Sequence, residues 1–206
     1  MKIWKSTSAS QIKNFKSCER KWFRESILGE KPPPSKGALR GQEIHRQLEN
    51  YLIFNKAPVD GTAKALSLLL PDGGTQTPFH VEVKFEWTPE GFPVPLRGFV
   101  DLALPENNEI IDHKSTSNLQ YALSEVTAKK DPQALIYCGV ALAGGLGLEF
   151  EENIKFTLNY GTTKGATKTS VVSIILTKAE IEEGLKELRA IVNSQNQVSK
   201  FLEWSE

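Results

Sequence analysis

The stretch from Phe79 to Lys114 constrains the fold most, because apolar residues there recur at every second position, whereas on either side they recur near a helical period. Phe79, Val81, Val83, Phe85 and Trp87 alternate with His80, Glu82, Lys84 and Glu86. Val94, Leu96, Gly98, Val100 and Leu102 then alternate with Arg97, Phe99, Asp101 and Ala103, and Pro105-Glu-Asn-Asn108 turns the chain into Glu109–Lys114. Three strands joined by connections this short can only run up, down and up beside one another, so the spacing predicts an antiparallel meander.

Helical patterns flank it. Ser8-Ala-Ser-Gln11 has the spacing of a capping box, and one helix is predicted from there through Ile12, Phe15, Trp22, Phe23 and Ile27, ended by Gly29 and Pro32-Pro33-Pro34. A second helix is predicted over residues 36–55, with Gly41, Ile44, His45, Leu48 and Leu52 on one inward stripe. A shorter one is predicted over 63–70, before the Pro71-Asp72-Gly73-Gly74 turn. After the meander, Asp131-Pro132 opens a helix to about Ala143. Ile154–Tyr160 and Val171–Leu176 give two more strands, and the capping box Thr177-Lys-Ala-Glu180 leads a final helix through Ile181, Leu185, Leu188 and Val192. The expectation is a single α/β domain over residues 1–206, with a mixed central sheet, a helical N-terminal part at 6–56, a core at 79–176 and a C-terminal helix at 177–195.

Several classes are excluded. No apolar run approaches the roughly 20 residues of a membrane span, and the N-terminus lacks an apolar signal core, so no membrane partner and a cytoplasmic location are expected. Cys18 and Cys138 alone cannot build a disulfide framework or a four-thiolate zinc site. Net charge is zero, which by itself points away from nucleic acid. Yet residues 1–50 carry 11 Lys/Arg against 5 Asp/Glu, giving +6, and residues 51–206 carry 14 against 20, giving −6.

Leu96-Arg-Gly-Phe-Val-Asp101 and Ile110-Ile-Asp-His-Lys114 concentrate the chemistry. Asp112 and Lys114, two apart on a strand, project to one side. Asp101 reaches the same spot if the two strands pair across the Pro105–Asn108 turn. An Asp-x-Lys is by itself a common surface ion pair, but Asp112 follows Ile110-Ile111, where an unpaired buried carboxylate is costly and burial implies pairing or a metal. Two carboxylates converging at a strand edge make a hard-oxygen site suited to Mg²⁺ or Mn²⁺, and such a site serves phosphodiester hydrolysis, with Lys114 orienting or deprotonating a water or stabilising developing charge.

Five segments in order resemble the PD-(D/E)xK nuclease superfamily, in the branch of the RecB nuclease domain, lambda-type exonucleases and CRISPR-associated RecB-like exonucleases: Ser8–Trp22, Gly41-Gln-Glu-Ile-His45, Gly98-Phe-Val-Asp101, Asp112-His-Lys114 and Gln133-Ala-Leu-Ile-Tyr137. The resemblance implies a restriction-endonuclease-like αβββαβ core. It also implies His45, Asp101 and Asp112 as metal ligands, the His113 carbonyl completing the ligand shell, Lys114 as the catalytic lysine, and Asp101 and Asp112 as catalytic carboxylates. Gln133 and Tyr137, one turn apart, would support the site and a DNA strand. Glu82 matches an acidic residue this branch often carries and stands as a further ligand or a merely solvated group; the His113 side chain is expected to pack. Lys13, Lys16, Arg20, Lys21 and Arg24 could neutralise phosphates, with Arg20, Lys21 and Arg24 the expected contacts, while Trp22 or Phe23 packs or stacks on a base.

The chain departs from the family in two places. Val100-Asp101 replaces the literal Pro-Asp, and Cys18 stands where cluster-bearing relatives have their early cysteine but no late cysteines follow, so no iron–sulfur cluster is expected. The absence of any G-x-x-x-x-G-K-[ST] assigns unwinding to a partner. The expected function is a Mg²⁺- or Mn²⁺-dependent DNA exonuclease of recombination, repair or phage DNA processing, acting on linear ends or single strands beside a helicase or single-strand-annealing protein. The alternatives are a structure-specific or restriction-type endonuclease, or a non-catalytic nuclease-fold DNA-binding module.

Overall fold

The computed structural model describes residues 4–74 and 80–201. Helices α1 (Ala9–Ser17), α2 (Glu19–Ser26), α3 (Lys36–Phe54) and α4 (Gly61–Ser67) precede strands β1 (His80–Trp87), β2 (Leu96–Leu104) and β3 (Glu109–Thr116). Then follow α5 (Glu125–Ala128), α6 (Pro132–Leu142), β4 (Asn153–Thr162), β5 (Thr169–Thr177) and α7 (Lys178–Phe201). Phe79, predicted to begin the first strand, lies outside the described residues.

The five strands lie in sequence order in one sheet. All neighbours are antiparallel except β3 and β4, which pair in parallel over eight positions from Glu109↔Lys155 to Thr116↔Thr162, because α5 and α6 carry the chain back across the sheet. The meander closes as the spacing requires, but β2 and β3 pair only at Leu102↔Ile111, Ala103↔Ile110 and Leu104↔Glu109. Beyond Leu102 the strands splay. At the far end of the gap Thr7 slips in, its N–H bonded to Pro95 O and its own carbonyl to Arg97 N, both at 2.9 Å.

Alternation along β3 sorts its residues by layer. Ile110 joins the main core with Val100, Ala103, Phe156, Leu158 and the almost wholly buried α6, while Ile111 packs with Leu52, Leu102 and Leu104 under α3. Asp112 and Lys114 therefore face α6, and His113 faces α3.

The predicted single N-terminal helix is two helices. Cys18 is extended (φ −164°, ψ 107°), its N–H closes α1 on Asn14 O, and its Sγ accepts the Lys21 N–H that opens α2. The kink lets Phe15, Trp22 and Ile27 form one buried cluster with Trp4. Of the two predicted capping boxes, Thr177/Glu180 forms in both directions, whereas at Ser8/Gln11 only the Ser8 Oγ bond is made and Gln11 Oε1 is buried without a partner among the described residues. α3 ends at Phe54 because Asn55 turns left-handed at φ 51°. α4 occupies 61–67 in place of the predicted 63–70, since Asp60 caps Thr62 and Ala63. α7 runs to Phe201, six residues past its predicted end.

Candidate active site

Asp101 stands where β2 leaves β3, and its carboxylate does the work of the missing strand pairing: Oδ2 accepts the His113 N–H at 2.7 Å. An N–H and C=O of one strand residue point to the same edge, so the His113 carbonyl also faces this gap rather than β4. Above it, His45 reaches down from α3 to place Nδ1 3.4 Å from the same Asp101 oxygen. Its side chain is about one third exposed at the cleft, less inward than the stripe pattern predicts.

From the other side comes Glu82. The β1–β2 register passes from Val81↔Leu102 to Val83↔Val100, which sets Glu82 across from Asp101, and Glu82 has φ 51°. That left-handed conformation is uncommon for a residue with a Cβ and is unlike its strand neighbours; held strain of this kind clusters at functional sites. His45, Glu82 and Asp101 each present a ligand atom, all within 4.8 Å of one another. They line an open cleft of about 620 Å³ with Gly41, Glu49 and Ser115.

Asp112 is not in that group. Only 1% exposed, its carboxylate is turned to the α6 face, where Oδ2 meets Lys114 Nζ at 2.5 Å and Oδ1 accepts from Gln133 Nε2. Gln133 is the hub: its Oε1 accepts from Lys114 Nζ at 2.8 Å and its Nε2 lies 3.1 Å from the Tyr137 hydroxyl. The one-turn spacing of Gln133 and Tyr137 thus builds a polar chain over Asp112 and Lys114, with Asp131 capping α6 through the Gln133 N–H and pairing with Lys13 at 2.7 Å.

Electrostatics divides the site in the same way. Burial pushes Glu82 up to about 7, reinforced by the Asp101 charge and by Glu49. Burial works against charge on His45, but the hydrogen bond and charge of Asp101 outweigh it and raise its pKa. Asp101 is desolvated too, yet His45 and the His113 N–H hold it below the usual carboxylate range. Burial raises Asp112 to about 6 against the pull of Lys114, and Asp112 in turn overrides burial and raises Lys114, which is held as an ammonium. Two carboxylate oxygens and an imidazole nitrogen within 4.8 Å of one another suit a hard or borderline divalent cation, which would offset both the burial that chiefly lifts Glu82 and the Asp101 charge that adds to it.

The His113 ring is buried, without a hydrogen-bond partner among the described residues, edge-on to His45 at 6.0 Å, and burial drops its pKa to about 4. Trp22 is wholly buried against Phe15 and Trp4, so the base-stacking role held open for it is excluded; Phe23 is partly buried beside them. Arg20, Lys21 and Arg24 line a separate cleft of about 660 Å³, where Arg24 is paired with Glu30 and Lys21 lies 3.9 Å from Glu25. Sequence reading missed Glu49, although its i+4 spacing from His45 puts both on one helix face.

The chain belongs to the PD-(D/E)XK nuclease superfamily, whose family profile matches residues 63–205, leaving α1–α3 and His45 outside the match. No curated protein matches the sequence. Among solved structures, the fold resembles the crystal structure of a candidate exonuclease from Eubacterium rectale, with a TM-score of 0.60 and 13% identity over 95% of this chain and 82% of that one. The crystal structure of SSO0001 aligns at a TM-score of 0.45 and 17% identity, over 91% of this chain and 77% of that one. Among the described residues no helix is long and apolar enough to cross a membrane.

Proposed function

We propose that the protein is a Mg²⁺- or Mn²⁺-dependent DNA exonuclease. The reading rests on one observation above the others: the His45–Glu82–Asp101 cluster opens to the cleft beside the Asp112–Lys114–Gln133 chain, so a set of potential cation ligands and a partly buried ammonium flank one splayed strand pair. The candidate exonuclease from E. rectale supports the exonuclease choice over the endonuclease one.

His45, Glu82 and Asp101 would hold the cation, the His113 carbonyl faces the same gap, and Asp112, on the α6 side of β3, would act through its contact with Lys114. When bound there, a divalent cation would supply Lewis-acid polarisation of a phosphoryl oxygen and would lower the pKa of a water. Lys114, kept protonated by Asp112 and positioned by Gln133, donates to the attacking water or to the phosphoryl oxygen on which charge develops. Gln133 and Tyr137 fix that ammonium and line the path of the scissile strand. Arg20, Lys21 and Arg24 attract the phosphate chain from their own cleft, with linear DNA ends or single strands as substrate in recombination, repair or phage DNA processing, in the cytoplasm, beside a helicase or annealing protein.

The test is digestion of end-labelled linear DNA beside closed circular DNA during a Mn²⁺ titration. Metal-dependent shortening of the linear DNA with the circle intact is expected, and Asp112→Ala or Lys114→Ala should lower the rate by about 10²-fold or more. Cutting of the circle would make the protein an endonuclease; binding with no cleavage of either DNA would make it a non-catalytic module.

A further inference from the structure

The two sheet edges differ. β1 carries His80, Glu82, Lys84 and Glu86 at alternate positions, and charged residues of this kind discourage pairing with another strand. β5, the opposite edge, reads Thr-Ser-Val-Val-Ser-Ile-Ile-Leu-Thr from 169 to 177, with no charge in nine residues.

The β4–β5 register decides which β5 groups are free. Thr162 N donates to Lys168 O at 2.9 Å, so in the antiparallel ladder Ser170, Val172, Ile174 and Leu176 turn their backbone groups to β4. Val171, Ser173 and Ile175 turn theirs outward, and among the described residues no hydrogen bond reaches those N–H and C=O groups. The side chains of Val171 and Ile175 flank Ser173 on one face and are 50% and 59% exposed. Two exposed β-branched side chains beside a row of unpaired backbone groups is an arrangement that soluble edge strands normally avoid.

We propose that β5 pairs with β5 of a second copy of this chain, antiparallel about a two-fold axis through Ser173, joining two five-stranded sheets into one. The segment is self-complementary in this register. Ser173 meets Ser173, Val171 meets Ile175 and Thr169 meets Thr177, so like polarity faces like at every outward position. Ser173 lies in the set whose N–H and C=O face outward, as a hydrogen-bonded pair on the axis requires. Each copy then satisfies the outward backbone groups of Val171, Ser173 and Ile175, and the cross-strand Val171–Ile175 contacts form twice. Mismatches remain on the opposite face, where Ser170 meets Leu176, and at the ends, where Lys168 faces Lys178 of the second copy. Lys178 is already 3.6 Å from Glu152 of its own chain, which moderates the repulsion. A heterologous strand could use the same edge, but the match of the segment to its own reverse favours a second copy.

Sedimentation of the full chain from low to high micromolar concentration tests this, together with amide hydrogen exchange. A concentration-dependent shift to twice the 22.9 kDa chain mass is expected. Val171, Ser173 and Ile175 amides should slow as the dimer fills, while Val172 and Ile174, bonded to β4, stay protected throughout. V171K/I175K should raise the dissociation constant about tenfold or more while leaving the melting temperature of the dilute protein unchanged. V171T/I175T, which keeps strand propensity, should weaken the dimer by a smaller factor. A single-chain mass at every concentration, a dimer indifferent to V171K/I175K, or a dimer whose Val171, Ser173 and Ile175 amides still exchange freely would each overturn the proposal.

Discussion

At Glu82, backbone and charge both run against ordinary preference. Its φ of 51° and its pKa of about 7 arise from the same placement, across from Asp101 and partly out of water. The folded state therefore binds a proton there that the unfolded chain has released above the ordinary value of 4.5. The stabilisation this brings is complete below about pH 4.5 and is lost as pH rises through about 7. In metal-free protein, Glu82→Gln should flatten that loss and raise stability at pH 8 by roughly 1 kcal/mol, the full shift being reduced because Glu82 is only partly buried. The same substitution should weaken Mn²⁺ binding, and the melting temperature rise produced by Mn²⁺ in the unsubstituted protein should grow with pH, because metal and proton compete for the carboxylate. Thermal denaturation at pH 5 to 8, with and without Mn²⁺, checks both; a Glu82→Gln protein that keeps the full pH dependence would remove Glu82 from the cluster. The sequence offered Glu82, through the family resemblance, as either a further ligand or a merely solvated group, and did not decide between the two. Its approach to Asp101 depends on a left-handed backbone at a single position, for which no local residue pattern gives a signal.

Among the elements, the motif glycine on β2 has a packing reason. A Cβ on Gly98 would lie 2.9 Å from Phe85 Cζ and 3.4 Å from Tyr137 Cε1, so only glycine lets the Phe85 and Tyr137 rings sit against the strand. Gly98→Ala should cost about 1–3 kcal/mol as those rings shift, and cleavage should fall further than stability explains, because Tyr137 holds Gln133 and Gln133 holds Lys114. A loss of melting temperature with unchanged turnover at low temperature would uncouple the ring packing from the site. Element identity was legible wherever the period was long: the meander, α6 and the Thr177/Glu180 cap follow the pattern closely. Two features were not. The break at Cys18 leaves the apolar spacing of α1 and α2 almost in phase, so periodicity passes through it. The splay of β2 from β3 is set by one carboxylate reaching a backbone N–H twelve residues on, which no strand pattern records.

Over the whole molecule, a neutral total conceals a division of labour between a basic first quarter and an acidic remainder. The structure places the basic α2 cleft apart from the His45–Glu82–Asp101 cluster. If DNA crosses both, R20A/K21A/R24A should weaken DNA affinity and reduce the slope of log affinity against log salt by about 1–2, below the value for three free cations because Arg24 is held by Glu30. Cleavage at saturating DNA should not change. A slope equal to that of the unsubstituted protein would take α2 off the DNA path. The ordered motifs made the superfamily readable because each is short and tied to a chain position. The site they form was readable only in part, since alternation placed Asp112 and Lys114 together but could not show that their strand turns them away from His45.

Thr7 gives the molecule a temporal order as well as a spatial one. Its backbone closes the gap beside β2, and its hydroxyl bonds Gln195, whose amide also reaches back to Gln11 O. On the ribosome, α1 must therefore wait for α7: His45, Glu82, Asp101, Asp112 and Lys114 have all been synthesised long before Gln195 emerges. The nascent chain can bring His45, Glu82 and Asp101 together while its N-terminal arm is still unlatched, and the latch closes only once Gln195 has emerged.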